Sequence, residues 1–189
     1  SDKKVYGQPG FIPKSFQPGA EYLDGIVGTA QEEAYKHQGN ARGARGVIDR
    51  METVGEENWT AGYAARAGEF IKEVFGREDF VTGIRKEYQD IKVRNAISNL
   101  PPGVASDKDV ALVMEPWPEG TSNYEFIRKK MESIANLEEG RAAYRQFEAE
   151  YLAKNRKRDG LAKAWGQTDH AKRIAEANAA PMSEWERVK

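Results

Sequence analysis

Apolar side chains recur at helical spacing along most of this 189-residue chain. In residues 78–99 the row is Phe80, Ile84, Tyr88 and Ile91, which forms one face of an amphipathic helix with charged residues on the other sides. No segment alternates valine, isoleucine and threonine with polar residues for long enough to predict a strand. The pattern therefore predicts an all-α, multi-helix and non-compact fold.

Proline and glycine divide the chain into segments. Pro9, Pro13 and Pro18 exclude a helix in residues 1–19, because each proline lacks an N–H and biases the preceding residue toward extended geometry. We predict an extended arm at 1–19, a helical domain at 20–155 and a polar helical segment at 156–189. The predicted helices cover residues 20–37, 47–54, 58–75, 78–99, 106–114, 124–154 (as a hairpin or as one long bent helix), about 161–165 and about 169–179.

The composition limits what the chain can do alone. Only 39% of the residues are hydrophobic and 31% are charged, whereas globular domains have about 45–50% and about 25%. The formal net charge of −1 excludes an overall basic, nucleic-acid-coating protein, and the lack of cysteine excludes disulfides and thiolate chemistry. No apolar run approaches the roughly 18–20 residues that span a bilayer. A core this thin predicts a subunit that gains stability by assembly, as a homo-oligomer or with other proteins.

Aromatic and aliphatic rows are the candidate contacts for that assembly. Two rows at helical spacing follow residue 123 and predict seams for a partner helix. The aromatics of the arm either fold back on their own core or lie across a neighbouring subunit, and the tryptophan between two prolines is an aromatic plug of a core or an interface. The predicted interface residues are Phe11, Phe16, Trp117, Tyr124, Ile127, Met131, Ile134, Tyr144, Phe147 and Tyr151.

Two basic segments are candidates for contact with DNA or with acidic neighbours. Residues 38–46 predict a glycine-rich loop with two arginines that either holds an anion or is simply a mobile loop. The second segment follows residue 154, where cations also suit the C-terminal end of the preceding helix. The candidate residues are Arg42, Arg45, Arg156, Lys157 and Arg158.

Catalytic patterns are lacking in the sequence. The two histidines, His37 and His170, lie far apart in the chain, and no zinc-protease, nucleophile-elbow or phosphate-loop motif occurs. Adjacent acids such as Glu138 and Glu139 point about 100° apart on a helix, which indicates a solvated face rather than a two-carboxylate site. The sequence therefore predicts no catalytic, cofactor-binding or metal site, and a chain that is not an enzyme.

One segment resembles a known family. The sequence NAISNLPPGVASDKDVAL at residues 95–112 resembles a block of virion structural proteins of tailed bacteriophages, of the internal virion or DNA-ejection type. The similarity extends over about residues 90–165, through a proline-containing loop and a capped helix start at Ser122 and Glu125. Many proteins of that type are longer or carry a peptidoglycan-cleaving domain, and this chain shows no lytic motif.

The resemblance implies a non-enzymatic virion protein that assembles with portal, tail or ejection proteins. It further implies location in the phage particle, with delivery into the host cell envelope on infection as an additional expectation. A helical nucleic-acid-binding module is the first alternative, and a fragment of a cell-wall hydrolase is the second. Physically, the Pro-Pro-Gly stop followed by Ser106 as an N-cap is a device that fixes the angle between two helices.

Overall fold

A computed structural model describes residues 20–57, 97, 99–116 and 124–179. These residues form five helices and contain no strand, so the predicted all-α, multi-helix class is confirmed for this part of the chain. The helices are α1 (Ala20–Val54), α2 (Asp107–Met114), α3 (Tyr124–Asn155), α4 (Leu161–Gly166) and α5 (Asp169–Ala179). The predicted arm at 1–19, the helix at 58–75 and most of the helix at 78–99 lie outside the described residues.

The first helix is longer than predicted. We expected a loop at residues 38–46, but α1 continues through it as one helix of 35 residues. Ala41, Ala44, Val47 and Met51 lie beyond the expected stop at helical spacing, and all four are buried. Burial of this apolar row outweighs the cost of about 1 kcal/mol that each glycine adds to a helix interior. The prediction of a glycine-rich loop is therefore wrong.

The third helix runs antiparallel to α1 along nearly its whole length. Four ion pairs mark the register, because their members on α1 ascend in number while their partners, on α3 or directly after its end, descend. These pairs are Asp24 with Arg156, Glu33 with Arg145, Arg45 with Glu139, and Glu52 with Arg128. The main hydrophobic core lies between the two helices and is completed by α2. A pair of long helices is thus the frame on which the shorter elements are placed.

The third helix is one continuous element of 32 residues, which decides between the predicted hairpin and the single long helix. Gly140 does not break it. A Cβ atom at Gly140 would overlap the carbonyl oxygen of Val104, so the glycine lets the segment before α2 approach the helix backbone. This residue therefore determines where the Pro-Pro-Gly segment sits against α3.

The Pro-Pro-Gly segment and α2 form a joint held on three sides. Gly103 has φ +82°, and a Cβ there would lie 2.8 Å from the Cβ of Ala171 on α5. Ser106 has extended geometry, and its side chain accepts a hydrogen bond of 3.1 Å from the backbone N–H of Asp109, which confirms the predicted N-cap. Trp165 of α4 donates its indole N–H to the carbonyl oxygen of Pro102 at 3.0 Å. The joint is thereby tied to both C-terminal helices.

The predicted short helices near 161–165 and 169–179 are present as α4 and α5. Trp165 is buried and forms a second, smaller core with Val104 and Ala171. The segment after α3 packs back on α3 through this tryptophan. Among the described helices, none is long and apolar enough to cross a membrane.

Candidate functional site

The first predicted interface row lies in the core of its own chain. Ile127, Met131 and Ile134 are 6%, 2% and 0% exposed and belong to the cluster shared with α1 and α2. Tyr124 packs at the edge of the same cluster. The prediction that this row receives a helix from another molecule is corrected accordingly, because α1 of the same chain already covers it.

The second predicted row supports the C-terminal helices. Tyr144 packs edge-on against Trp165 with ring centroids 5.2 Å apart, and Phe147 lies 5.6 Å from the same tryptophan. Tyr151 stacks with Phe147 and donates its hydroxyl to the carbonyl oxygen of Asp159 at 2.5 Å. All three rings of the row are half-buried rather than buried. Their described contacts therefore hold α4 against α3.

The two arginines of the expected loop are placed on a helix face instead. Arg42 is exposed, and its Nε donates to the carbonyl oxygen of Gln38 one turn earlier at 3.3 Å. Arg45 reaches α3, where it donates to both carboxylate oxygens of Glu139 and to the side-chain oxygen of Asn136. The Glu139 carboxylate holds the pKa of Arg45 above its ordinary value. The two arginines thus do not form an anion-binding loop.

The basic segment after α3 is partly neutralised by acids. Arg156 lies 2.6 Å from a carboxylate oxygen of Asp24, and Arg158 lies 3.5 Å from one of Glu148. Lys157 is exposed. Two of the three cations therefore help to fix the end of α3, and this use accounts for their position. The other predicted contact residues, Phe11, Phe16 and Trp117, lie outside the described residues.

A buried polar cluster joins α1 to α3 and was not predicted. Glu138 is 0% exposed, although the sequence pattern assigned it to a solvated face. One carboxylate oxygen, Oε2, accepts hydrogen bonds from His37 Nδ1 at 2.8 Å and from Asn40 Nδ2 at 2.9 Å. The other, Oε1, accepts from Arg141 at 2.9 Å. Burying a carboxylate is costly unless it is paired and hydrogen-bonded, and all of these donors meet that requirement.

The positions of Glu138 and His37 relative to the apolar residues of their helices indicate that both side chains are buried. Glu138 follows Met131 and Ile134 by seven and four residues, so it continues the buried row of α3. His37 likewise stands between Ala34 and Ala41 on the buried row of α1. Polar residues in an apolar row indicate buried partners, but the sequence does not reveal that the two rows face each other.

A cavity of about 390 Å³ opens beside this cluster. His37 lines it, and the rest of the lining comes from three places: the preceding turn of α1, the two turns of α3 after Glu138, and the start of the Pro-Pro-Gly joint. These residues are Glu33, Lys36, Asn99, Leu100, Pro101, Arg141, Tyr144 and Arg145. His37 is 5% exposed, and among the described residues its Nε2 has no hydrogen-bond partner. A buried polar atom without a partner here is unusual and calls for an explanation.

A second buried charge caps a helix. Lys130 is 0% exposed, and its ammonium donates to the carbonyl oxygens of Leu112, Val113 and Glu115 at the C-terminal end of α2. A cation at a helix C-terminus is favoured by the helix dipole. Burial nevertheless lowers the pKa of Lys130 from 10.5 to about 8. This contact is structural, since it fixes α2 on α3.

The chain matches no protein-family model, no curated protein and no solved structure. In residues 20–57, 97, 99–116 and 124–179, no group of three or more histidine, aspartate or glutamate side chains is arranged to hold a metal ion.

Proposed function

We propose that this chain is a non-enzymatic structural protein of a bacteriophage particle, an internal or DNA-ejection component that assembles with portal or tail proteins. The proposal starts from the resemblance of residues 95–112 to virion proteins of that type. It is supported by what this segment does in the described fold. Pro101, Pro102 and Gly103 end one segment, and Ser106 starts α2 at a fixed angle.

The single observation that carries the proposal is the close seating of this joint on α3. The carbonyl oxygen of Val104 occupies the place where any side chain at Gly140 would begin. His170 also lies within hydrogen-bonding distance of that carbonyl, at 3.1 Å. A joint clamped by α3, α4 and α5 holds helices at defined angles, and this is what a subunit of a regular assembly requires.

Exposed aromatic side chains on α1 are the proposed contacts with neighbours. Tyr22 and Tyr35 are 70% and 72% exposed, and they are the most exposed large hydrophobic residues in the described part of the chain. Large aromatic side chains are enriched at protein interfaces. These two side chains lie about 140° apart around the axis of α1, and they replace the row around Met131 as separate proposed contact points of the helical domain.

The experiment is detection of the chain in particles of the phage that encodes it. Particles purified on a density gradient are probed with an antibody against the chain, before and after release of their DNA. The proposal expects the chain in full particles at a fixed number of copies per particle, and loss of it after ejection if it travels with DNA. Particles that lack the chain while infected-cell lysates contain it would overturn the proposal.

A second experiment measures binding of the purified chain to portal and tail proteins. Light scattering on the mixture is expected to show a complex of defined mass, and Tyr35→Ser with Tyr22→Ser is expected to weaken it without changing the helix content. A DNA gel shift examines the nucleic-acid alternative with Lys157→Gln, since Lys157 is exposed and has no ion pair among the described residues. A strong, salt-dependent shift that this substitution weakens would favour that alternative.

A further inference from the structure

The cavity between α1, α3 and the Pro-Pro-Gly joint is lined by His37, and only one of its two ring nitrogens makes a hydrogen bond within the described fold. His37 Nδ1 is engaged by Glu138 Oε2 at 2.8 Å, which fixes the ring orientation. A carboxylate at Nδ1 makes that nitrogen the N–H donor, so Nε2 is either a bare acceptor or, in the protonated ring, a second donor. His37 is buried and lines the cavity, and its Nε2 has no hydrogen-bond partner among the described residues.

The walls of the cavity favour an anion. Lys36, Arg141 and Arg145 line it, against the single carboxylate of Glu33. Lys36 is exposed and has no ion pair in the described part of the chain. Its flexible ammonium is therefore available to a ligand that enters from solvent. Arginine and lysine donors carry no acceptor, so only an acceptor-rich group satisfies several of them together.

The ion pairs behind the walls set the charge that a ligand would meet. Arg141 is bound to Glu138, and Arg145 is bound to Glu33 and Glu148 at 2.6 Å each. Glu148 is shared with Arg158. These pairs and Lys36 together comprise four cations and three carboxylates, which are Lys36, Arg141, Arg145 and Arg158 against Glu33, Glu138 and Glu148. Their net charge is therefore +1 when His37 is neutral and +2 when its ring is protonated. This excess suits a ligand with one or two negative charges.

The cavity also has an apolar side. Leu100, Pro101 and the ring of Tyr144 form part of the lining. The volume of about 390 Å³ falls within the range of small-molecule sites, and it exceeds what a lone inorganic ion fills. Cationic and apolar walls in one cavity favour a ligand with an anionic head and an apolar body.

We infer that this cavity binds a small phosphate monoester, with the phosphoryl oxygens between His37 Nε2, Lys36 and the arginines, and the organic part against Tyr144, Leu100 and Pro101. A phosphate monoester carries about −1.5 to −2 charges at neutral pH and presents three acceptor oxygens. This charge matches the excess of one to two positive charges, and the three oxygens can accept hydrogen bonds from several of the donors that line the cavity. The inference does not rest on the proposed virion role, and each can fail without the other.

The test is a titration of the full chain with inorganic phosphate, phenyl phosphate and, as an uncharged control, phenol. The chain contains two histidines, so the ring signals of His37 and His170 can be resolved by nuclear magnetic resonance and assigned with one substitution. Phenyl phosphate should shift the His37 signal in a saturable manner and bind at least about tenfold more tightly than phenol. The signal of His170 is the internal reference.

Three variants separate the site from general charge effects. His37→Asn keeps an N–H near the place of Nδ1 for Glu138 but removes Nε2, and Lys36→Gln removes an exposed cation without touching the core. Each should weaken phenyl phosphate binding about tenfold, the loss expected for one charge-assisted hydrogen bond. Lys172→Gln changes the same charge on an exposed residue of α5 outside the lining and should alter affinity less than about twofold.

The outcomes are distinct. Saturable binding of phenyl phosphate that both cavity variants weaken supports the inference, and a similar affinity for inorganic phosphate would show that the oxyanion alone is recognised. If neither phosphate shifts the His37 signal, or if Lys172→Gln weakens binding as much as Lys36→Gln, the cavity holds only water and the inference is overturned. Because Lys36→Gln leaves the buried cluster intact, this conclusion does not depend on whether His37→Asn folds.

Discussion

His37 Nδ1 and Glu138 Oε2 lie 2.8 Å apart, although 101 residues separate them in the chain. Both side chains are buried, and the bond joins α1 to α3 near the middle of their contact. Sliding one helix past the other would remove the two donors that α1 supplies to this carboxylate, His37 and Asn40. The contact therefore selects the alignment of the two helices.

The first prediction concerns this buried carboxylate. Glu138→Ala removes the acceptor shared by the buried His37 and the half-buried Asn40 and Arg141, so it should lower the free energy of unfolding by about 3–5 kcal/mol. Urea denaturation followed by circular dichroism measures the loss. The adjacent Glu139 is an exposed partner of Arg45, and Glu139→Ala should cost at most about 1 kcal/mol. Equal effects of the two substitutions would contradict the special role of Glu138.

The second prediction concerns the seating of the joint. Gly140→Ala places a methyl group on the carbonyl oxygen of Val104, so it should destabilise the chain by about 1–3 kcal/mol. The control is Gly39→Ala in α1, where an added Cβ meets no atom within 4 Å. That change should stabilise the helix by about 0.4–1 kcal/mol, because alanine loses less backbone entropy on folding. Opposite signs in thermal unfolding are expected, and a stabilising Gly140→Ala would contradict the described seating.

The third prediction concerns pH. The pKa of Lys130 is lowered to about 8 in the folded chain, from 10.5. The unfolded chain then binds more protons between these values, so the free energy of unfolding should rise with pH, by about 2 kcal/mol from about pH 7.5 to about 9.5. Burial raises the pKa of Tyr144, which opposes the rise only at higher pH. The rise is measured by urea denaturation at each pH.

Two variants isolate the contribution of Lys130. Lys130→Met removes the titrating group, so its stability should be nearly flat with pH over the same interval. Lys129→Met removes the neighbouring, exposed lysine and should keep a profile parallel to that of the natural chain. A slope that survives in Lys130→Met would show that another group is responsible.

The fourth prediction concerns the start of α2. Ser106→Ala removes the side-chain acceptor for the backbone N–H of Asp109, and it should lower the free energy of unfolding by about 1 kcal/mol. Ser106→Thr retains a hydroxyl and should cost less than half of that amount. Chemical denaturation of the two variants side by side gives the comparison, and equal losses would mean that the hydroxyl does not cap the helix.

Local rules of the sequence determined the kind of elements and many of their ends. The spacing of apolar residues predicted helices for α2, α3, α4 and α5, and the cap at Ser106 was predicted because it depends on residues within one turn. The same rules predicted a loop at residues 38–46 and were wrong there. Glycine lowers helix propensity locally, but the stripe from Ala41 to Met51 is stabilised by α3, a partner far away in the sequence.

Tertiary structure alone decided which faces meet. The sequence placed His37 and Glu138 on two helices, but only the antiparallel register brings them to one buried cluster, with the cavity beside it. It likewise predicted an apolar row at Ile127, Met131 and Ile134 but assigned it to an interface with another molecule, whereas α1 of the same chain covers it. Periodicity shows that one face of a helix must be buried. It does not show which element buries that face, because the hydrophobic effect is non-directional and any apolar face of suitable shape could cover it.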